Sequence, residues 1–189
     1  GSATMGVNVT TNANEPRPGS AGTTSAYLHS QFVGMGTLGK FAAGNIFTGK
    51  YFKTDGTDGI LNFGRPFATH PIALRGWVKY RQGQIDKIGS SPAGMTLTTD
   101  DMDEGSIYIA LGTWTPAEYG GTAESPVQIR TKPSDQLLFD KNAKAVVGYG
   151  ERILTESIGE WTQFTIPIDW RDKTTPPTHM IIVGPASRW

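Results

Sequence analysis

Polar and apolar residues alternate most clearly in residues 72–80, which follow a turn at Gly64-Arg65-Pro66. The apolar set is Ile72, Leu74, Gly76, Val78 and Tyr80. The other set is Ala73, Arg75, Trp77 and Lys79. Because successive side chains of a β-strand point to opposite faces, the pattern predicts a strand with one face toward a core. The opposite face has two interpretations. It is a binding surface, or Trp77 lies under a loop while the neighbouring cations are solvated or rest on its ring.

Shorter alternating runs recur along the chain and predict further strands at residues 25–33, 46–52, 60–63, 106–113, 143–154, 161–168 and 179–183. Within residues 106–113, the pattern predicts inward Ile107, Ile109 and Leu111 and outward Tyr108 and Ala110. No window of eleven residues has the 3.6-residue apolar period of a helix. About eight to ten short strands joined by turns predict an all-β fold, an antiparallel β-sandwich or jelly roll.

Length and composition agree with this class. A chain of 189 residues is expected to form one domain with a core of useful size. The 24 glycines and 12 prolines favour strands joined by turns over helices. We expect residues 1–24 to be a remnant of cloning followed by an irregular lead-in, and residues 25–189 to form a single β-sandwich domain.

Charge and residue usage narrow the function. Seventeen basic and seventeen acidic side chains give zero net charge, which argues against a nucleic-acid partner that needs a surplus of cations. No apolar run approaches the roughly 20 residues of a membrane helix, so no membrane span is expected. The absence of cysteine excludes disulfides, a cysteine nucleophile and thiolate metal sites.

Several common catalytic and cofactor motifs are not supported. The histidines are isolated on different segments without the spacing of a zinc site: His29, His70 and His179. No G-x-S-x-G elbow of a serine hydrolase occurs. Residues 34–39 match G-x-G-x-x-G, but Gly44 and Asn45 interrupt the helix that a dinucleotide site requires, so we interpret a glycine turn.

The positions of the carboxylates are compatible with two kinds of site, a calcium site and a hydrolytic pair. The acidic run around Asp100, Asp101 and Asp103 lacks the pattern of an EF-hand loop, and is either a solvated turn or an irregular calcium site. Glycoside hydrolysis needs two carboxyl groups about 5 to 9.5 Å apart across a cleft. The candidates for that pair are Asp86, Asp103 and Glu151.

Aromatic and cationic side chains predict a ligand-binding surface. Its expected members are Arg75, Trp77 and Lys79, with Tyr108 from a neighbouring strand and Asp103 as a hydrogen-bonding group. Trp114 and Tyr119, on the long connection over residues 114–135, are expected to border it. Trp114 has the alternative of capping the core at the end of its strand.

Four motifs together resemble one known family. They are GNIFTGKYF at 44–52, NFGRPFATHPIALRGWVKY at 62–80, DEGSIYIAL at 103–111 and AVVGYGE at 145–151. Over about residues 20–187 the chain resembles the PCMD family, whose name stands for "putative carbohydrate metabolism domain". HMIIVGPAS at 179–187 resembles the segment before the family's closing loop and last acidic strand, so the resemblance predicts that this strand is missing.

The resemblance implies a galactose-binding-like jelly roll, similar to carbohydrate-binding modules. It also implies a cell-surface or secreted location, in a protein of Gram-negative gut anaerobes with other extracellular domains attached. Members have also been considered as glycoside hydrolases. The positions carried over by the motifs, without an established role, are Arg65, Trp77, Lys79, Tyr80, Asp103 and Glu151.

Three functions follow as hypotheses. The first is a non-catalytic module that binds a glycan through the aromatic and cationic face. The second is a glycoside hydrolase that uses paired carboxylates, and the third is a structural or adhesion domain with a protein partner. No cofactor is expected, apart from the calcium left open above.

Overall fold

The computed structural model describes residues 8–35, 38–56, 58–88 and 95–187. These ranges contain fifteen strands, one helical turn α1 (Pro116–Tyr119) and a 3-10 turn at Pro133–Asp135. The strands are β1 Thr10–Ala13, β2 Ser25–Leu28, β3 Gln31–Met35, β4 Leu38–Ala42, β5 Asn45–Phe47, β6 Gly49–Asp55, β7 Asp58–Phe63, β8 Arg65–Pro66, β9 Ala73–Tyr80, β10 Gly105–Gly112, β11 Val127–Ile129, β12 Val146–Leu154, β13 Ile158–Pro167, β14 Asp169–Trp170 and β15 His179–Pro185. Among these residues, no helix has the length and hydrophobicity needed to cross a membrane.

Six strands form a central antiparallel sheet around β10. The order is β14-β12-β10-β15-β5, and β8 pairs with β15 as well. Tyr108 of β10 lies opposite Glu151 of β12 and Val183 of β15. The strands at the middle of this sheet are therefore distant in sequence, and their pairing closes long loops.

Each face of the central sheet is covered by another group of strands. On one face Ala110 and Ile181 pack in a core cluster with residues of the three-stranded sheet β11-β7-β6, including Phe63 and Val127. On the other face Ile109 and Leu111 pack against residues that include Leu74 of β9. Strands β9 and β13 pair with each other and form this second outer layer. The prediction of an all-β antiparallel sandwich is confirmed.

The predicted orientation of β10 is wrong for its even-numbered residues. Ala110 is fully buried, and Tyr108 packs against the same core cluster rather than pointing to solvent. Both faces of β10 are apolar because the sheet is covered on both sides, so inward and outward positions cannot be distinguished by hydrophobicity.

Element boundaries also differ from the sequence-based prediction. The lead-in contains β1, which pairs with β2, and the segment predicted as one strand at 25–33 divides into β2 and β3. Residues 114–135 contain α1 and β11 instead of an unstructured connection. Ile72, assigned to the apolar face, lies before β9 and is 84% exposed. The first seven residues, and residues 36 and 37 of the glycine turn, lie outside the described residues.

Two further pairs of strands complete the fold beside the cavities described below. β1 pairs with β2, and β3 pairs with β4. The backbone of His29 hydrogen-bonds to Val9, and Thr10 Oγ1 donates to the backbone oxygen of Asn45, the first residue of β5. The N-terminal strands are thereby attached to the edge of the central sheet.

Candidate functional site

The outer face of the β9–β13 pair carries the surface that the alternation in β9 predicted. Arg75, Trp77 and Lys79 are exposed, and the residues between them are partly buried. Gln163 of β13 lies directly opposite Trp77, and Thr165 lies opposite Arg75. The predicted orientation of β9 is confirmed, and β13 extends the same face with polar side chains.

A small cavity of about 520 Å³ lies on this face, between the β9–β13 pair and the segment that leads to β2. Among its lining residues are Arg17, Arg75, Trp77, Trp161 and Gln163. The Cζ atom of Arg17 is 5.4 Å from the ring centroid of Trp77, within the distance of a cation–π contact. The small cavity therefore combines indole surface with guanidinium groups.

A large cavity of about 1670 Å³ begins on the other side of the same tryptophans. Trp77 and Trp161 line both cavities, together with Ser25. The large cavity extends along β9 to the loop after it and includes Asp86 and Asp103. The large cavity also reaches the inner side of the β9–β13 pair, where Leu74 and Phe164 line it. The two cavities share Trp77 and Trp161, and we refer to them together as the concave surface.

Asp103 is held at the wall of the large cavity by contacts to its backbone. Gln82 Nε2 donates to the backbone oxygen of Asp103 at 3.0 Å, and the Tyr80 hydroxyl donates to it at 3.5 Å. The Asp103 carboxylate accepts a hydrogen bond from the backbone N–H of Glu104 at 2.8 Å. Burial, followed by the nearby charge of Asp103, raises the pKa of Tyr80, so this hydroxyl stays protonated as a donor.

Lys79 has a protein partner already. Its Nζ atom lies 2.5 Å from a carboxylate oxygen of Glu15, in the segment after β1. That hydrogen bond raises the pKa of Lys79. Lys79 therefore ties the N-terminal segment to β9, and it would have to exchange Glu15 for a ligand to bind one.

The structure separates Tyr108, Trp114 and Tyr119 from the Trp77 surface. Trp114 is 2% exposed, and all three side chains belong to or pack against the core cluster on the opposite face of the central sheet. Tyr108 stacks on Phe139 with ring centroids 5.4 Å apart, and burial raises its pKa. The prediction that these aromatic residues share a surface with Trp77 is wrong, because β10 faces the β11-β7-β6 sheet on that side.

The three candidate carboxylates also divide between the two sides. Glu151 accepts a hydrogen bond from Lys141 at 3.0 Å, and its strand neighbour opposite is Tyr108. Asp86 and Asp103 both line the large cavity. Gln84 forms an isolated bridge with Met102, and the Asp103 N–H donates to the backbone oxygen of Gly83, three residues before Asp86 in the chain.

The acidic run before β10 is a hydrogen-bonded turn in this structure. Asp101 Oδ2 accepts hydrogen bonds from the backbone N–H and the hydroxyl of Thr98, at 2.7 and 2.9 Å. Within residues 8–35, 38–56, 58–88 and 95–187, no group of three or more acidic or histidine side chains is arranged to hold a metal ion. Calcium at Asp100, Asp101 and Asp103 stays a prediction.

Arg65, a motif position, lies in an ion-pair network away from Trp77. Arg65 and Lys50 both contact the carboxylate of Glu124, and the Lys50 hydrogen bond is the main cause that lowers the pKa of Glu124. These contacts connect β6 and β8 to the loop before β11. The arrangement gives Arg65 a structural role between layers.

Two residues of the concave surface were not identified from the sequence. Trp161 lines both cavities, and its indole Nε1 is buried without a hydrogen-bond partner among the described residues. Arg17 comes from the segment interpreted as an irregular lead-in. Trp161 alternates in step with Gln163 and Thr165, and this pattern is enough to predict that Trp161 lies on their face of the strand. No sequence pattern indicates that Arg17 reaches the surface.

The fold and the concave surface define a class of protein, an antiparallel β-sandwich with aromatic and cationic side chains around two cavities. The chain belongs to the PCMD family, "Putative carbohydrate metabolism domain", whose model matches residues 5–188. The resemblance seen in the four motifs is thereby confirmed.

Two solved structures have a similar fold. One is described as a putative glycoside hydrolase from Bacteroides thetaiotaomicron, with 18% identity and a TM-score of 0.63 over 96% of this chain. The other, a putative glycoside hydrolase from Bacteroides vulgatus, has 22% identity and a TM-score of 0.63 over 95% of this chain. This chain spans 50% of the first chain and 68% of the second. No protein of curated function matches it.

Proposed function

We propose that this domain binds a carbohydrate chain along the concave surface around Trp77 and Trp161. The observation that carries the proposal is the position of the Trp77 indole, which is 37% exposed and borders both cavities. A flat aromatic ring at the centre of a groove presents a large apolar contact area with few rotatable bonds. Sugar rings have apolar C–H faces that match such a surface.

Polar groups around the indoles would supply specificity. Asp103 in the large cavity can accept hydrogen bonds from sugar hydroxyls, while Gln163 beside Trp77 can both donate and accept. A mostly apolar surface with a few placed polar groups is the usual composition of a small-ligand site. Membership of the PCMD family supports carbohydrate as the ligand class.

The test is binding to an array of glycans, followed by calorimetry on those that bind. Trp77→Ala is expected to weaken binding by about tenfold to a hundredfold, because it removes the central stacking surface. Phe52→Ala is the matched control, since Phe52 is an exposed aromatic residue on β6 that does not line either cavity. Equal binding by Trp77→Ala and the parent, or binding of protein partners alone, would reject the proposal.

A glycoside hydrolase is a second candidate, supported by the presence of Asp86 and Asp103 in one cavity. An inverting pair requires two carboxyl groups about 6.5 to 9.5 Å apart across the bound glycan. Hydrolysis of the bound glycan, abolished in both Asp86→Asn and Asp103→Asn, would establish it. Glu151→Gln is the control, because Glu151 pairs with Lys141 outside the cavity. Binding without turnover leaves the domain as a recognition module.

We further propose that the domain works at the cell surface or in a secreted protein, attached to other extracellular domains. The support is the family resemblance. Fractionation of cells that express the full-length gene tests it, and recovery in the cytoplasm would contradict it. Repeating the binding measurements with calcium and with a chelator tests whether the Asp100–Asp103 turn contributes a cation.

A further inference from the structure

Two arginines line the small cavity beside Trp77. Arg75 reaches it from the exposed face of β9, and Arg17 comes from the segment between β1 and β2. The Cζ atom of the Arg17 guanidinium lies 5.4 Å from the centroid of the Trp77 ring. Among the described residues, no aspartate or glutamate lines this cavity. The small cavity is therefore locally cationic in a chain of zero net charge.

Neither guanidinium is neutralised by a protein carboxylate in the described part of the chain. Arg17 donates to the backbone oxygen of Pro18 at 3.0 Å, and Arg75 makes no ion pair there. Other cations of the fold do have such partners, including Lys79 with Glu15 and Lys141 with Glu151. Glu15, an acidic residue of the same N-terminal segment, is thus engaged by Lys79.

We propose that the small cavity binds an acidic sugar unit, whose carboxylate or sulfate group is held by Arg17 and Arg75. This inference rests on the proposed carbohydrate-binding function and names the sugar class. A guanidinium presents a planar set of donors that matches the oxygens of an anionic group and can stack on an aromatic ring at the same time. The volume of about 520 Å³ lies in the range of small-ligand pockets.

Trp77 and Trp161 would support the ring of that sugar while the arginines hold its charge. Both indoles line the small cavity, and both continue into the large cavity. The rest of a glycan chain would extend that way, past Asp103. The large cavity is lined by charges of both signs, the carboxylates Asp86 and Asp103 and the cations Lys79, Arg81 and Lys87, whereas the charged side chains of the small cavity, of the residues that the structure describes, are the two arginines alone.

The experiment compares charged glycans with their neutral counterparts. Calorimetry is performed with oligogalacturonate and its carboxyl-reduced form, and with a sulfated chondroitin oligosaccharide and its desulfated, carboxyl-reduced form. One acidic form is expected to bind at least about tenfold more tightly than its neutral counterpart, because charge-assisted hydrogen bonds are made by that form alone. Which of the two binds identifies the anionic group as carboxylate or sulfate.

Four variants separate a built site from general electrostatic attraction. Arg17→Gln and Arg75→Gln are each expected to lose about tenfold in affinity for the acidic form and little for the neutral form. Arg75→Lys should recover part of the loss, since it restores charge without the planar fork. Arg171→Gln is the control with the same change of charge, because Arg171 donates to the backbone of Lys141 and lines neither cavity. Thermal unfolding checks that each variant is folded.

The possible results separate this inference from the proposed function. Equal affinity for acidic and neutral forms, with binding still dependent on Trp77, overturns the acidic-sugar inference and leaves carbohydrate binding in place. A loss in Arg171→Gln as large as in Arg75→Gln overturns the inference too, because it indicates attraction by net charge. Absence of binding to any glycan overturns both.

Discussion

At the scale of single residues, Gly76 shows how the binding face and the core depend on each other. It lies between Arg75 and Trp77 and directly opposite Phe164 of β13. A Cβ atom at this position would lie 2.4 Å from the Phe164 ring, which is far inside contact distance. The aromatic ring therefore packs over the glycine on the inner side, while the neighbouring side chains project outward.

We expect Gly76→Ala to destabilise the protein by about 1 to 3 kcal/mol, the usual cost of an overpacked core. Any change in the glycan affinity of Gly76→Ala should result from a displacement of β9 relative to β13. Equilibrium unfolding in denaturant measures the free energy of unfolding. Gly83→Ala is the control, because a Cβ atom there meets nothing within 4 Å. An unchanged stability of Gly76→Ala would show that Phe164 can move aside.

At the scale of elements, the β9–β13 pair positions the candidate site. Ile166 on its inner side is 2% exposed, whereas Arg75, Trp77 and Gln163 on its outer side line the small cavity. The inner residues Leu74 and Phe164 line the large cavity. The ladder is interrupted by a register shift between Ile158 and Thr162, in the stretch that contains Trp161. Trp161 therefore has no paired residue in the β9–β13 ladder, and its side chain lines both cavities together with Trp77.

Shortening a side chain on the inner face of the β9–β13 pair should therefore lower the free energy of unfolding more than it lowers the affinity for a glycan. Ile166→Ala is expected to cost about 2 to 5 kcal/mol, because it leaves a cavity under the pair. Thr165→Ala, the exposed neighbour on the same strand, is the matched control and should change stability by less than about 0.5 kcal/mol. Similar losses in the two variants would contradict the assignment of inner and outer faces.

At the scale of the whole molecule, the central sheet separates two aromatic clusters. Trp77 and Trp161 lie on the β9–β13 side with the cavities, while Trp114 lies in the core on the other side with Phe139. A ligand in the concave surface thus contacts one cluster and leaves the other unchanged. Tryptophan fluorescence can distinguish the two sides.

The change in fluorescence on addition of a bound glycan is expected to persist in Trp114→Phe and to decrease in Trp77→Phe, where Trp161 is the remaining indole that lines both cavities. The physical reason is that only an indole next to the ligand changes its contact with solvent. Circular dichroism controls for folding, since Trp114 is a core residue and its replacement has a stability cost. A response lost in Trp114→Phe but retained in Trp77→Phe would move the binding site to the opposite face.

Comparison of β9 with β10 explains how far the sequence could predict the site. In β9 one face meets solvent, so Arg75, Trp77 and Lys79 alternate visibly with apolar residues. In β10 both faces are covered, so the alternation does not indicate the direction of Tyr108, and the prediction that it lies beside Trp77 is wrong. The all-β class was predictable for the same reason as β9, since turn residues and period-two runs are local features.

Local sequence was sufficient to predict the all-β class and the outward face of β9, and to recognise the family motifs. The partners of that face depended on the tertiary structure, because strand pairing joins residues such as Trp77 and Gln163 that are far apart in the chain. Arg17 and Trp161 reach the cavity through such long-range contacts, and Trp114 is excluded from it by the layer that covers β10. Periodicity records whether a side chain meets solvent or core, and it carries no information on which distant strand lies beside it.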